Sequence, residues 1–397
     1  MNKRTIDFLE DLEVELKEAI LPYWMTKMVD YDHGGFYGQI DGYDHLQPLS
    51  PKGSVLNARI LWTFSASYNQ YKDPEYLRIA DRAFQYCNRY FINWKNEGVY
   101  WMLDYAGNPI ETKNQIYALG FMIYGLSEYY MATRNQNALD SSRMLFESIE
   151  KHSYDPEKNG YFEAFDEDWQ LLEDLRLSDK DANAIKTMNT HLHILEGYTN
   201  LYRIWKNKKL QRQLKNLVRI FMEKIVNPKT WHFRLFFDMD WRSRDDEISF
   251  GHDIEGSWLI LEAAEIGGDQ DLIDKARKLA IDMTNAVMNR GFDKDGGLYY
   301  EIKPGGVLDT DKHWWPQAEA MVGLINAYQI NDNQVYLRQA SNVWQFIKEK
   351  IMDKTGGEWY FRVDRKGVPY REEDKAGIWK CPYHNSRACI EIIKRLG

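Results

Sequence analysis

Nine histidines occur in this chain, and two of them have a spacing that suits proton transfer. His193, in NTHLHILE, and His252, in GHDIEGSW, are each followed three residues later by a glutamate, Glu196 and Glu255. On a helix that interval puts both side chains on one face. A carboxylate so placed can orient the imidazole and raise its pKa from about 6.5, tuning it for acid–base work near neutrality. His384, in CPYHNSRAC, lies between Tyr383 and Asn385 and has no such neighbour. Arg59, in NARILW, is available to stabilise an oxyanion that develops beside these bases. His33, His45 and His152 fall in loops and read as structural; His232 and His313 are left structural as well.

Other chemistries find less support. There is no GxSxG elbow, no base adjoins Cys381 or Cys389, and GxxxxGK[ST] is absent. His191 and His193 are two residues apart and diverge on a helix, no HExxH or cysteine pair accompanies them, and GHDIE is weaker than a standard metal site, so no metal is expected. The net charge of −9 and the lack of a basic stripe argue against nucleic acid. MNKRTIDFLEDLEVELKEAI breaks each apolar run with charge, so it is expected to be an amphipathic helix and neither a secretory nor a membrane segment. Three cysteines, Cys87, Cys381 and Cys389, read as reduced thiols, and the expected location is cytoplasmic. The 14 Trp, 26 Tyr and 17 Phe mostly suit an aromatic core, with a minority free to line a sugar-binding cleft.

The elements that must position these groups are legible as a repeat. A phrase of alternating aromatics led by glycine or its stand-in begins at Gly35, Gly98, Gly160, His232, Gly297 and Gly357, at intervals of about 60 to 72 residues. Each phrase reads as a short hairpin. The roughly 50 residues between phrases carry helical periodicity enough for two helices. Six such units predict an all-α fold, an (α/α)6 barrel of twelve helices with short β-hairpins between helix pairs, in one domain over 1–397. At the helix entry after each hairpin stand Arg59, Tyr117, His193, His252, Glu319 and His384, one per repeat. In a closed ring these entries face one mouth, where Glu319 is expected to bind substrate. The insertion EDLRLSDKDANAIKT lengthens the third approach.

NTHLHILEGYTNLYRIW, GHDIEGSWLILEAAE, WWPQAEAMVG and WKCPYHNSR make the chain resemble the cellobiose 2-epimerases, of the N-acylglucosamine 2-epimerase superfamily, from the first hairpin to the last residues. The resemblance implies an (α/α)6 barrel that epimerises C2 of the reducing-end sugar in β-1,4-linked disaccharides such as cellobiose, lactose or mannobiose, with neither metal nor nucleotide cofactor. It implies that His252 and His384 act on opposite faces of the substrate carbon, with His193 and Arg59 holding a cis-enediolate. It further implies sugar contacts from Tyr117, Asp181, Asn189, Glu255, Trp315 and Trp379, the two tryptophans as stacking platforms. Gly256 stands where the family pattern suggests alanine.

Two neighbouring readings stay open: a monosaccharide aldose–ketose isomerase and an N-acylglucosamine 2-epimerase of the same superfamily. From another class, an (α/α)6 glycoside hydrolase would draw two carboxylates from Asp253, Glu255 and Glu319, and a non-catalytic sugar-binding protein would need none of the histidines. Monomer and homodimer are both compatible with the sequence.

Overall fold

The computed structural model describes residues 3–243 and 246–397. The helix α1 (Lys3–Val14) runs through a π turn, Glu15–Ile20, into α2 (Leu21–Lys27), making one outer rod that precedes the inner α3 (Ser54–Tyr71). Five further outer–inner pairs follow: α4 (Pro74–Tyr86) and α5 (Ile116–Thr133), α6 (Gln136–His152) and α7 (Met188–Ile204), α8 (Lys208–Ile220) and α9 (Phe250–Gly267), α10 (Gln270–Arg290) and α11 (Trp314–Asn331), α12 (Gln334–Phe346) and α13 (Tyr383–Leu396). These are the twelve rods expected. Each inner helix packs on the next, and α13 packs back on α3, so the ring is shut.

Composition sorts the two layers. α5 is apolar all round and buried from Ile116 to Tyr129, because it has neighbours on every side. α8 buries only one stripe, Leu210, Leu214, Leu217, Val218 and Ile220, and turns its lysines and arginines outward. Inner helices α3, α5, α9 and α11 end on a left-handed residue, Lys72, Arg134, Gly268 and Asp332. The residue that follows, Asp73, Asn135, Asp269 or Asn333, caps the outer helix through its side-chain oxygen. Such a cap contributes about 1 kcal/mol and fixes the reversal. The backbones of α5 and α7 meet at glycine: a Cβ on Gly120 would stand 2.8 Å from the His193 carbonyl oxygen.

A belt of short antiparallel pairs runs round the other end of each inner helix. The two residues before α3, Lys52–Gly53, pair with Met102–Leu103 of the next hairpin, and the same link recurs before α5, α7, α9 and α11. Before α13 a single bridge, Ile40↔Ala376, joins the sixth repeat to the first hairpin. In four repeats a lysine just ahead of the inner helix is buried against an aspartate of its own hairpin: Lys52 to Asp30 at 2.6 Å, Lys186 to Asp155 at 2.7 Å, Lys312 to Asp295 at 2.6 Å and Lys375 to Asp353 at 2.8 Å. Where the hairpin carries Asn93 or Asn227 instead, the strand residue is uncharged, Asn114 or Ile248. The covariation follows from the cost of a buried unpaired charge, about 3–5 kcal/mol.

Among the described residues no helix is long and apolar enough to cross a membrane.

Candidate active site

The N-termini of the six inner helices open on one cavity of about 360 Å³. Ten of the residues expected from sequence line it: Arg59, Tyr117, Asp181, Asn189, His193, His252, Glu255, Trp315, Trp379 and His384. Helix N-termini carry partial positive charge, so their convergence favours a developing anion and disfavours a protonated imidazole.

Depth along each helix decides which group does what. Tyr117, His252, Trp315 and His384 lie in the first turn of their helices, nearest the mouth; Arg59, His193, Glu255, Glu319 and Arg387 lie about one turn deeper. Trp315 and Trp379 are only partly buried and line the cavity. Trp315 lies 4.7 Å from the His252 ring and 5.6 Å from the His384 ring, centroid to centroid, so both imidazoles flank one indole. The deeper Arg59 donates to Tyr117 Oη at 2.9 Å and spans the Phe121 ring. Its Nε has no partner, and Asn189 Oδ1 is likewise buried and unpartnered among the described residues. Groups left so beside a cavity are ready for ligand oxygens and hydroxyls.

His193, His252 and His384 are each held at Nδ1, which leaves Nε2 open to another partner. His193 pairs with Glu196 at 3.0 Å, as its spacing predicts. The same spacing fails for His252. Its Nδ1 meets the Ser249 hydroxyl at 2.7 Å, while Glu255 turns to Arg387 at 2.5 Å. His384, which has no carboxylate near it in sequence, finds one on the neighbouring inner helix, Glu319 Oε1 at 2.7 Å. Glu319 therefore does not line the cavity as expected for a sugar contact. It is fully buried behind His384 and also accepts from Arg387 at 2.6 Å and Trp258 at 3.1 Å.

Arg387 is the hub beneath the floor, and sequence reading missed it. Its guanidinium donates to Glu196, Glu255, Glu319 and the Tyr383 hydroxyl, tying the supports of His193 and His384 into one network. The signal was available: a lone arginine three residues after His384, on a helix buried over that stretch. Glu255, Glu319 and His384 also form the one cluster of metal-ligating groups among the described residues. Arg387 already stands between its two carboxylates, where a cation would sit.

Electrostatics corrects a second expectation. Instead of being raised, the histidine pKa values are lowered. Burial, with the His193 and Arg59 charges, pulls His252 down to about 3. Burial and the Arg59 and Arg387 charges hold His384 well below 6.5. Burial also outweighs the Glu196 bond at His193, which falls too. At neutral pH all three are free bases. Beneath them, burial pushes Glu196 up but Arg387 and His193 more than offset it, so its carboxyl stays below the usual range. Burial and the neighbouring Glu319 charge drive Glu255 well above that range, against the pull of Arg387.

Several lining residues were not anticipated. Leu177, Ser178, Asp179 and Lys180 come from the long insertion, which folds over the mouth and is clamped by Gln115 donating to the Arg176 carbonyl at 3.0 Å. Asp181 accepts from the Ser178 backbone and hydroxyl, both at 2.9 Å. His313, read as structural, reaches the cavity wall and stacks on Tyr300 at 3.8 Å. His232 is structural as read, bonded to Asp253 at 2.7 Å. That bond, with the Phe233 amide at 2.7 Å, turns Asp253 away from the cavity and removes it as a hydrolytic carboxylate. Gly256 is explained by the same neighbour: the Phe233 ring fills the space an alanine methyl would take.

The chain is 49% identical to the cellobiose 2-epimerase of Bacteroides fragilis, over 97% of this chain and 98% of that one. Its fold matches the solved cellobiose 2-epimerase of Bacillus thermoamylovorans with a TM-score of 0.95, at 39% identity over 98% of this chain and 99% of that one. Identity falls to 23% with the D-mannose isomerase of Marinomonas mediterranea, over 97% of both chains. Residues 35–388 match the model of the N-acylglucosamine 2-epimerase family, and the chain belongs to that family.

Proposed function

We propose that this protein is a cellobiose 2-epimerase, acting in the cytoplasm on C2 of the reducing-end glucose or mannose unit of β-1,4-linked disaccharides. The observation that carries the reading is the pair of neutral imidazoles, His252 on α9 and His384 on α13, that flank Trp315 at the convergence of the helix N-termini. Inversion at a carbon needs two such groups on opposite faces. The extent of identity to cellobiose 2-epimerases supports the disaccharide over a monosaccharide.

After a histidine assists ring opening, the proton on C2 is acidified by the adjacent C1 carbonyl. His384, its Nδ1–H bonded to Glu319, presents the Nε2 lone pair that takes this proton. As Nε2 is protonated, positive charge spreads towards the Glu319 carboxylate, which stabilises it. Negative charge collects on O1 and O2 of the cis-enediolate, where Arg59, His193 and the helix N-termini oppose it. Rotation about C2–C3 then turns the other face of C2 to His252, which returns a proton. Trp315 and Trp379 carry the sugar rings, and Asp181, Asn189, Tyr117 and Glu255 meet hydroxyls.

The test is an NMR time course on cellobiose in heavy water. The expected product is intact glucosyl-mannose with deuterium at C2, lost in both His252→Asn and His384→Asn. Release of glucose without exchange at C2 would replace this reading by hydrolysis, and accumulation of the keto-sugar alone would replace it by isomerisation.

A further inference from the structure

Ser249 is the N-cap of α9, a position where a serine oxygen ordinarily accepts a backbone N–H of the first turn and adds about 1 kcal/mol to the helix. Here it makes no capping bond. Its hydroxyl is spent on the His252 ring three residues later, at 2.7 Å. Of the three histidines His193, His252 and His384, His252 is thus the one whose Nδ1 is backed by a hydroxyl, since Glu196 backs His193 and Glu319 backs His384. A carboxylate fixes the proton on Nδ1, whereas a hydroxyl can give a proton or accept one.

Ser249 does not touch the substrate cavity. It lines a second, smaller cavity of about 90 Å³, which adjoins the first along His252, Asn189, Asp181 and Tyr300. That volume is large enough for water. Its wall carries Glu163, Asp181, Glu247 and Glu301. Glu163 accepts from the Thr187 amide at 2.8 Å and shares a 2.6 Å hydrogen bond with the Thr190 hydroxyl. Burial pushes its carboxyl up to about 8, so it is a proton store at neutral pH.

The proposed epimerisation, on which this inference rests, needs such a store. Each turnover leaves His384 with the proton taken from one face of C2 and His252 short of the proton given to the other. We propose that Ser249 and the acidic cavity behind it are the proton-return route of His252. As the N–H bond at Nε2 breaks and the C–H bond at C2 forms, Nδ1 takes the Ser249 hydroxyl proton. A cavity water refills the hydroxyl, and a wall carboxylic acid refills the water, leaving His252 neutral with its proton on Nδ1. Once product leaves, His384 gives its extra proton to solvent in the open substrate cavity, Nε2 of His252 takes one from the same solvent, and Nδ1 passes its proton back through Ser249 and the water to the wall carboxylate. The reverse reaction runs the same chain backwards. Ser249 is a positioning and relay residue, because it meets the imidazole and not the sugar.

The experiment compares wild type, Ser249→Ala and Ser249→Thr on cellobiose in heavy water, following epimer formation and deuterium gain at C2 of recovered cellobiose. The second signal reports removal and return of the proton by His384 alone. In Ser249→Ala, epimer formation is expected to fall about 10- to 100-fold, at or below the lower end of a general acid's contribution. KM should hold within about twofold and exchange into recovered cellobiose within about threefold, since binding and the first proton transfer are untouched. Ser249→Thr, which keeps the hydroxyl, should restore turnover. Loss of exchange and turnover in step, or full turnover in Ser249→Ala, overturns the relay alone. Failure of the wild type to form any epimer overturns the relay and the epimerase reading together.

Discussion

Replacing Glu319 by glutamine separates two roles for this residue, a sugar contact and a support for His384. In the structure Oε1 accepts from His384 Nδ1 at 2.7 Å and Oε2 from Trp258 at 3.1 Å, and neither oxygen reaches the cavity. Glutamine keeps the shape and one acceptor but loses the charge that opposes an imidazolium at His384. A hydrogen bond to a charged group contributes about 1.5–3 kcal/mol. The imidazolium exists only once the C2 proton has been taken, so this loss belongs to the transition state. At tenfold per 1.36 kcal/mol it lowers kcat roughly 10- to 150-fold. Because Glu319 does not touch sugar, KM should stay within about twofold. Exchange into recovered cellobiose should fall together with epimer formation, the opposite of the pattern expected at Ser249. Arg387 keeps Glu196 and Glu255 as partners, so the variant should fold; a melting curve checks this. Steady-state kinetics on cellobiose with the two deuterium signals is the assay. A rise in KM with kcat unchanged would refute the support role and restore the sugar contact.

Two further outcomes follow from packing and charge. Gly256→Ala puts a methyl into the Phe233 ring, so unfolding in denaturant should show a loss of about 1–3 kcal/mol, and an unchanged midpoint would show that the ring has room to move. The folded pKa values of His191, His252 and His313 are lowered by burial to about 4, 3 and 3, below their unfolded value of about 6.5. Below pH 6.5 the unfolded chain therefore binds more protons, so stability should decline progressively as pH falls through 6 and 5, as read by denaturation midpoints.

Why some of the site was legible and some was not comes down to period and partners. Alternation in the hairpin phrases and the apolar runs between them fix the order of elements, so the ring and its mouth could be read from residue types alone. The repeat does not say whether a side chain at a given depth reaches the cavity. Glu319, the sixth residue of α11, falls behind the cavity floor where His384 and Arg387 hold it, whereas Arg59, His193 and Glu255, sixth in α3, α7 and α9, line the cavity. The interval of three gave the right partner for His193 and the wrong one for His252. Glu255 is drawn to Arg387, a residue more than a hundred positions away that only the packing of later helices brings near. His384 meets Glu319 on the neighbouring inner helix, outside the reach of any helical interval. Local spacing carries contacts within a helix; contacts between helices leave no spacing to read.

The closing seam has a consequence for how activity appears. The bridge from Ile40 to Ala376 and the bond from Trp24 on α2 to Glu358 at 2.5 Å join segments more than three hundred residues apart. Glu358 also holds Lys380 at 2.9 Å and Asn385 at 2.7 Å, on either side of Trp379 and His384. Contacts of such high order are slow to form and depend on both ends of the ring being present together. Five repeats can stack as an open arc with Arg59, His193 and His252 already on their helices. Only docking of the sixth on the first brings in His384, so on the proposed mechanism turnover reports completion of the circle.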